Sequence, residues 1–353
     1  MKKILILIHA FIFIIFISSC NNKKEDEIKK DECDHTYSYS LNDDYSKIIS
    51  NCDNCDYSYE INPFFSFKFN YGYFDLDRYL IKENAKKFYL EIYVEIFNFI
   101  NAKKDIKPTI KNNNSYYEII TIDYSKFGLT KEEAMAIWHL VSLDNLEFYF
   151  LEKTVLTSTK ELIILCDELY AKYEQRIIVD DKINELKNIV NSFENNKKLE
   201  SIYDYVINNM KYAYDYIDGE KVAKNTFDSY EISGALLNKE GVCEAYCKMF
   251  GYMLKCANIK SIMYLGNGIM LSGDSVRHSW TLVEVDDLYY GFDLTWDDSN
   301  SNNANYGLSY DNLLKRHKEI EFASSSLNYG IDYIYKMPKM ATKNLIINQQ
   351  IGA

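Results

Sequence analysis

Cys243 is the residue whose surroundings best suit a nucleophile. The segment after it carries an apolar stripe at helical spacing, made of Tyr246, Met249, Phe250, Met253 and Leu254. We therefore place Cys243 on the first turn of a helix, with Gly241 allowing the tight entry. The unpaired N–H groups and the positive dipole at a helix start favour a thiolate and can hold an oxyanion. Cys247 and Cys256 lack this position and are predicted to be packing residues.

A predicted hairpin brings a histidine and an aspartate together further along the chain. Residues 278–285 alternate like a strand, Asp286-Asp287 suits a two-residue turn, and residues 288–294 form a second strand. This turn puts His278 diagonal to Asp293 on one face, about 7–8 Å apart at the backbone, and a one-residue shift puts them directly opposite. A carboxylate on one ring nitrogen makes the other more basic, so that it can take the thiol proton of Cys243.

The three residues lie in segments that resemble the core motifs of bacterial transglutaminase-like proteins. These segments are Gly241-Val242-Cys243-Glu244-Ala245-Tyr246, Arg277-His278-Ser279-Trp280 and Tyr290-Gly291-Phe292-Asp293-Leu294-Thr295-Trp296-Asp297. Two flanking segments fit the same family. Ser233-Gly234-Ala235-Leu236 resembles the stretch before the nucleophile, and Tyr306-Gly307-Leu308-Ser309, running on to His317, resembles the C-terminal motif. The resemblance covers residues 200 to 320, about a third of the chain.

The resemblance implies an α+β fold with a papain-like transglutaminase core, in which the nucleophile helix packs on an antiparallel sheet. It implies Cys243 as nucleophile, His278 as base and Asp293 as the residue that orients the base. It also implies a protein or peptide substrate and no cofactor for catalysis. For the side-chain donor to the oxyanion we name Tyr212 and Tyr214 as candidates.

Several functions remain open for such a domain. We expect the thiol to attack an amide carbonyl and form an acyl-enzyme, with water as acceptor, so that the enzyme is a protease or deamidase. The alternatives are protein cross-linking, with an amine as acceptor, and a catalytically silent binding module at the cell surface. A zinc-dependent enzyme is disfavoured because His278 and Asp293 have no further ligand at suitable spacing.

A second group of chemical side chains lies near the N-terminus, in residues 33–60. Cys33, His35, Cys52 and Cys55 follow the order of a tetrahedral zinc site, and the segment resembles short Cys/His modules of secreted bacterial proteins. The single residue between Cys33 and His35 is tight for a chelating knuckle. Zinc, a disulfide or no bond are the three interpretations that we carry forward.

The first residues predict export. Lys2 and Lys3 precede an apolar run from residue 4 to residue 17, which is too short to span a membrane and typical of a signal peptide. The run ends in Ile17-Ser18-Ser19-Cys20, which resembles the lipoprotein cleavage box, so Cys20 is the expected lipid attachment site. A plain signal peptide or an uncleaved anchor is the alternative. We expect a protein that is lipid-anchored to the membrane in the cell envelope, on the extracytoplasmic side.

These observations divide the chain into six parts. They are a signal peptide (1–19), a charged tether (20–32), the Cys/His segment (33–60), a mixed α/β extension (61–199), the transglutaminase-like domain (200–322) and a C-terminal tail (323–353). In the extension we predict a helix over 82–102, a helix capped by Thr130, and strands at 116–122, 147–151 and 161–165. The formal net charge of −12 argues against a nucleic-acid partner.

Overall fold

The structure is a computed structural model that describes residue 33 and residues 35–61, 83–111, 114–300, 303–318 and 338–346. The predicted signal peptide, Cys20 and the tether lie outside the described residues. Within those described ranges, no helix combines the length and the apolar character that crossing a membrane requires.

The first unit is a small antiparallel sheet. Its strands are β1 (Tyr37–Leu41), β2 (Ile48–Cys52) and β3 (Ser58–Ile61), in that order. Helix α1 (Glu83–Asn101) packs on the sheet through a buried contact between Ile48 and Val94. Asn98 joins the edge strand to the helix, because its Oδ1 accepts from the Tyr39 N–H at 2.7 Å and its Nδ2 donates to the Tyr39 carbonyl at 2.9 Å.

The extension continues as a second antiparallel sheet with helices. Its elements are β4 (Thr109–Lys111), β5 (Asn114–Asp123), α2 (Lys131–Asp144), β6 (Leu151–Leu156), β7 (Glu161–Cys166) and α3 (Tyr173–Ser192). The sheet order is β4-β5-β7-β6. The predicted capping box is confirmed, since Thr130 Oγ1 accepts from the Glu133 N–H at 3.2 Å and Glu133 Oε2 accepts from the Thr130 N–H at 2.8 Å.

The predicted strand over 147–151 is wrong, because the strand begins only at Leu151. Turn hydrogen bonds hold the preceding backbone: the Phe148 N–H donates to Asn145 and the Leu151 N–H donates to Phe148. Consecutive rings at 148–150 are all buried in the core, where these turn hydrogen bonds take the place of strand pairing. The turn also reaches the helix over Cys243–Cys256, where Lys255 Nζ lies 2.7 Å from Glu147 Oε1.

The C-terminal half contains the candidate site. Its helices are α4 (Lys198–Asn209), α5 (Phe227–Tyr230), α6 (Ile232–Leu237), α7 (Cys243–Cys256), α8 (Leu294–Asn300) and α9 (Tyr310–Leu313). Its strands are β8 (Lys211–Tyr212), β9 (Tyr214–Ile217), β10 (Glu220–Ala223), β11 (Glu240–Gly241), β12 (Ser261–Ile269), β13 (Ser275–Val285), β14 (Leu288–Phe292) and β15 (His317–Lys318). Helix α7 packs on the antiparallel sheet β14-β13-β12-β15, which confirms the predicted α+β papain-like core.

One hydrophobic core runs across the boundary that we drew at residue 200. It includes Phe88 and Ile164 of the extension together with Phe250 and Phe292 of the C-terminal half. Residues 338–346, in the predicted C-terminal tail, also pack on this half, since the Tyr289 N–H donates to the Lys339 carbonyl at 2.9 Å. The sheet and α7 are therefore supported from both ends of the chain.

Candidate functional site

Cys243 is the first residue of α7, and its side chain is half-buried. Val242 precedes the helix without a side-chain hydrogen bond, so no capping side chain covers the first backbone N–H groups. Gly241 pairs with Tyr212 of β8 just before the turn into the helix. A Cβ on Gly241 would collide with the Cβ of Ala245, so this close entry requires glycine.

The His–Asp couple forms as the hairpin predicts. Strands β13 and β14 pair about Asp286-Asp287, whose φ angles of 51° and 61° are those of a type I′ turn. This confirms the register with His278 diagonal to Asp293. Nε2 of His278 lies 2.7 Å from Oδ2 of Asp293, and both side chains are buried.

The charges of the couple follow from burial and from the partners. Burial alone would lower the pKa of His278, but the Asp293 carboxylate and the nearby Cys243 raise it to about 10. Because Nε2 faces Asp293, Nδ1 is the ring nitrogen left for a partner other than Asp293. Burial would raise the pKa of Asp293, but His278 and His317 hold it well below its usual range. At neutral pH the pair is an imidazolium and a carboxylate.

His317 is a member of the site that the sequence did not assign. It lies in β15, the edge strand that pairs with β12, and is fully buried. Its Nε2 lies 2.9 Å from Oδ2 of Asp293, and its Nδ1 lies 3.2 Å from the Leu313 carbonyl oxygen. A two-residue strand carries no periodic signal, so only its position at the end of the family's C-terminal motif pointed to it.

The expectation that His278 and Asp293 lack a further ligand is wrong. One ligand atom each of His278, Asp293 and His317 fall within 4.8 Å of one another. Nitrogen and oxygen ligands on a tetrahedral zinc lie roughly 3.3 Å apart. The observed separations of 2.7 Å and 2.9 Å are instead those of charge-assisted hydrogen bonds. The three side chains therefore form a hydrogen-bonded network.

Trp296 covers this network. Its ring stacks on His278 with a centroid distance of 4.6 Å and an interplanar angle of 10°. Its backbone N–H donates to Oδ1 of Asp293 at 3.1 Å, and the Arg316 guanidinium lies 4.1 Å from its ring centroid. A Cβ on Gly268 would approach the Trp296 ring to 2.6 Å, so a residue without a side chain is needed at this position of β12. Trp296 thus fixes both the ring plane of His278 and the second oxygen of Asp293.

A second buried carboxylate, Asp297, holds the segment that follows Asp293. Its Oδ1 accepts from the Asn305 N–H and the Asn305 Nδ2, each at 2.9 Å, and the Tyr203 hydroxyl donates to its Oδ2. Burial raises the pKa of Asp297 to about 6, against the lowering effect of these hydrogen bonds. All its partners belong to neighbouring backbone and core, so we interpret Asp297 as a structural residue.

The two tyrosine candidates for the oxyanion donor differ in position. Tyr212 is half-buried, and burial together with nearby Cys243 raises the pKa of its hydroxyl, which keeps its proton at neutral pH. Tyr214 is 39% exposed, and Lys221 Nζ lies 3.5 Å from its ring centroid. The rings contact each other at a centroid distance of 4.7 Å. Tyr212 is therefore the better placed of the two.

Cys166, Cys247 and Cys256 differ from Cys243 in their surroundings. Cys166 and Cys247 are buried, which raises the pKa of Cys166 to about 12 and that of Cys247 well above its usual range. Cys256 is half-buried at the last turn of α7. Of these thiols, Cys243 alone lies at a helix start and near enough to His278 to affect its pKa.

The predicted Cys/His group also comes together. Cys33, His35, Cys52 and Cys55 offer one ligand atom each, all within 4.8 Å of one another, at one end of the small N-terminal sheet. No disulfide joins the cysteines of the described ranges. Cys20 lies outside the described residues, so its lipidation stays a prediction.

Comparison with protein families gives a match for one region of the chain. Residues 181–323 match the family model of the transglutaminase-like domain. No curated protein matches the chain. The match begins inside α3 and includes Cys243, His278, Asp293 and His317.

Three solved structures are similar to parts of the chain. A proposed cysteine protease from Cytophaga hutchinsonii is 18% identical over 32% of this chain and 37% of its own, with a TM-score of 0.25. A TGase is 15% identical over 41% of this chain and 44% of its own, with a TM-score of 0.27. A proposed protease from Parabacteroides distasonis is 16% identical over 41% of this chain and 33% of its own, with a TM-score of 0.22. The chain spans less than half of the length of each structure.

Proposed function

We propose that residues 181–323, which match the family model of the transglutaminase-like domain, hydrolyse peptide or amide bonds through a thioester on Cys243. His278 is the acid–base residue and Asp293 orients it. The observation that carries the proposal is that the buried His278 is hydrogen-bonded to Asp293 through Nε2 and lies near enough to Cys243 for this residue to help raise its pKa.

The first half of the reaction forms the acyl-enzyme. The Cys243 sulfur attacks the amide carbonyl carbon, and the C=O electron pair moves onto oxygen. Backbone N–H groups at the start of α7 and the Tyr212 hydroxyl donate to this oxyanion. As the intermediate collapses, the C–N bond breaks and His278 Nδ1–H donates its proton to the leaving nitrogen.

The second half releases the product. His278, now neutral, removes a proton from water, whose oxygen attacks the thioester carbonyl. The C–S bond then breaks, the carboxylic acid leaves and Cys243 recovers its starting state. Asp293 stays ionised throughout, because the two imidazoles that contact it hold its pKa low.

The acceptor decides between hydrolysis and cross-linking. Water needs no site of its own beyond access to the thioester, whereas an amine acceptor needs a second binding surface. Cys243 is half-buried at the start of its helix, so water can reach a thioester on its sulfur. This favours hydrolysis.

A peptide substrate is supported by the hairpin next to the site. Strands β9 and β10 follow directly on Tyr212 and expose apolar side chains, with Tyr216 73% and Ile217 60% accessible. Such residues at the edge of a two-stranded sheet suit an extended, partly apolar peptide. With the predicted lipid on Cys20, the substrate would be a protein or peptide outside the cytoplasm.

The test is product analysis on a peptide library. Wild-type protein in ¹⁸O-labelled water, with and without an added primary amine, should give ¹⁸O-labelled acid products by mass spectrometry, and Cys243→Ser should give none. Cys256→Ser, which removes a thiol from the far end of the same helix, is the matched control and should retain turnover. If amine-coupled products form in place of acids, the reaction is cross-linking and not hydrolysis. Equal product from wild type and Cys243→Ser would refute the thiol mechanism.

A further inference from the structure

We propose that Cys33, His35, Cys52 and Cys55 bind one structural Zn²⁺ at the end of the N-terminal sheet. The three sulfurs and the ring nitrogen face one point, with Cys33 Sγ 3.8 Å from Cys52 Sγ. His35 Nδ1 lies 3.2 Å from Cys52 Sγ and 3.5 Å from Cys55 Sγ. This site lies outside the transglutaminase-like domain and does not depend on the function proposed for it.

The separations suit a tetrahedral zinc. With Zn–S bonds of about 2.3 Å and Zn–N bonds of about 2.05 Å, two sulfurs lie roughly 3.8 Å apart, and a sulfur and a nitrogen roughly 3.6 Å apart. The Cys33–Cys52 value of 3.8 Å and the His35–Cys55 value of 3.5 Å match these closely, and the His35–Cys52 value of 3.2 Å is about 0.4 Å shorter. Three thiolates and one imidazole are a ligand set that favours zinc over the hard cations.

The four ligands come from two neighbouring segments of the chain. Cys33 and His35 lie in the segment before β1, which begins at Tyr37. Cys52 ends β2, and Cys55 lies in the turn before β3. The Asn54 N–H donates to Cys52 Sγ at 3.4 Å, a hydrogen bond that stabilises a metal-bound thiolate. One tight turn therefore carries half of the ligands.

The small core of the N-terminal sheet gives a reason for a stabilising metal. Its strands are four or five residues long, and its own buried cluster consists of Ile48 and Val94, with partly buried Tyr39, Leu41 and Tyr59 around it. So small a core supplies little stabilisation, and small domains compensate with metals or disulfides. A zinc bound by these four residues would link the segment before β1 to the turn between β2 and β3.

A disulfide fits the same atoms less well. A disulfide has an S–S distance of about 2.05 Å and joins two sulfurs. Here three sulfurs converge with an imidazole, and the sulfur pair at 3.8 Å is at the separation of two ligands of one ion. A disulfide between any two of them would leave the third cysteine and His35 without a role.

Metal content of the purified full-length chain tests the proposal. After loading with zinc and dialysis, the wild type should hold one zinc per chain by mass spectrometry of the metal, and Co²⁺ should give thiolate-to-metal absorption bands. Cys55→Ser should lower the zinc content at least tenfold and abolish the bands, and Cys55→His should restore zinc. Cys55 is exposed in a turn, so these changes leave the core intact.

Two comparisons complete the test. Cys256→Ser should retain the zinc, which separates this site from the thiols of the transglutaminase-like domain. Removing zinc should accelerate amide hydrogen exchange in β1–β3 and leave α7 unchanged. The proposal is overturned by a wild type that holds no zinc, by full zinc retention in Cys55→Ser, by a mapped disulfide among Cys33, Cys52 and Cys55, or by unchanged exchange in β1–β3.

Discussion

Nε2 of His317 lies 2.9 Å from Oδ2 of Asp293, the same carboxylate oxygen that His278 reaches at 2.7 Å. Nδ1 of His317 faces the Leu313 carbonyl oxygen at 3.2 Å, so both of its ring nitrogens face oxygen acceptors. His278 therefore shares its carboxylate partner with a second buried imidazole.

We expect His317→Leu to move the pH dependence of turnover. Leucine cannot donate to Asp293, which then loses one of the two imidazoles that hold its pKa low. With one hydrogen-bond donor fewer, the carboxylate attracts the His278 imidazolium more strongly, so the pKa of His278 and the alkaline limb of kcat/KM should shift upward. A pH–rate profile measures this shift. His139→Gln, which changes a partly buried histidine of α2, is the control and should leave the pH profile unchanged. If the variant at His317 also leaves the profile unchanged, His317 is only a packing residue.

Asp293→Asn should lower kcat less than His278→Ala does, while both variants stay folded. Removing the acid–base residue costs roughly 10²–10⁴-fold in rate. An asparagine can place its carbonyl oxygen at the position of Oδ2, but its amide group then meets the Trp296 N–H, which now donates to Oδ1 at 3.1 Å. Steady-state rates, with circular dichroism as a fold control, test the order. Full activity of Asp293→Asn would contradict the role of this carboxylate.

The His278–Asp293 pair predicts a pH-dependent stability. The pKa of His278 is raised from 6.5 to about 10, so the protonated ring stabilises the folded state fully below pH 6.5. This contribution is lost as the pH rises from 6.5 to 10, and each pKa unit corresponds to about 1.4 kcal/mol. The free energy of unfolding of wild type minus that of His278→Gln, from urea titrations, should therefore fall by a few kcal/mol between pH 6.5 and pH 10. A constant difference would show that the pair is not charged as described.

Cys20→Ala tests the predicted anchor. The apolar run that ends in Ser18-Ser19-Cys20 predicts lipidation of Cys20, which would hold the mature chain on the membrane. The variant should leave the membrane fraction or remain unprocessed, with a changed mobility on a gel. Ser19→Ala keeps a small residue before the cysteine and should behave as wild type. If Cys20→Ala fractionates and migrates unchanged, Cys20 carries no lipid.

The hairpin and the nucleophile helix could be predicted because their signals are local. Apolar spacing after Cys243 defines one face of a helix, and the turn at Asp286-Asp287 sets the register that brings His278 to Asp293. The order of the motifs then suggests the fold that joins them.

The contribution of His317 could not be predicted in the same way. It reaches Asp293 through the pairing of a two-residue edge strand with β12, a contact between residues far apart in sequence. The turn at residues 147–150 failed as a strand prediction for a related reason. Tertiary contacts bury its three consecutive rings and override a local preference for strand.

The reactivity of Cys243 tests the central claim most directly. With limiting iodoacetamide at neutral pH, peptide mapping should find Cys243 labelled well ahead of Cys166, Cys247 and Cys256. His278→Ala should slow the labelling of Cys243 at least tenfold, because it removes the imidazole that activates the thiol. If Cys243 reacts no faster than a free cysteine, and His278→Ala changes nothing, the domain is a binding module and not a thiol enzyme.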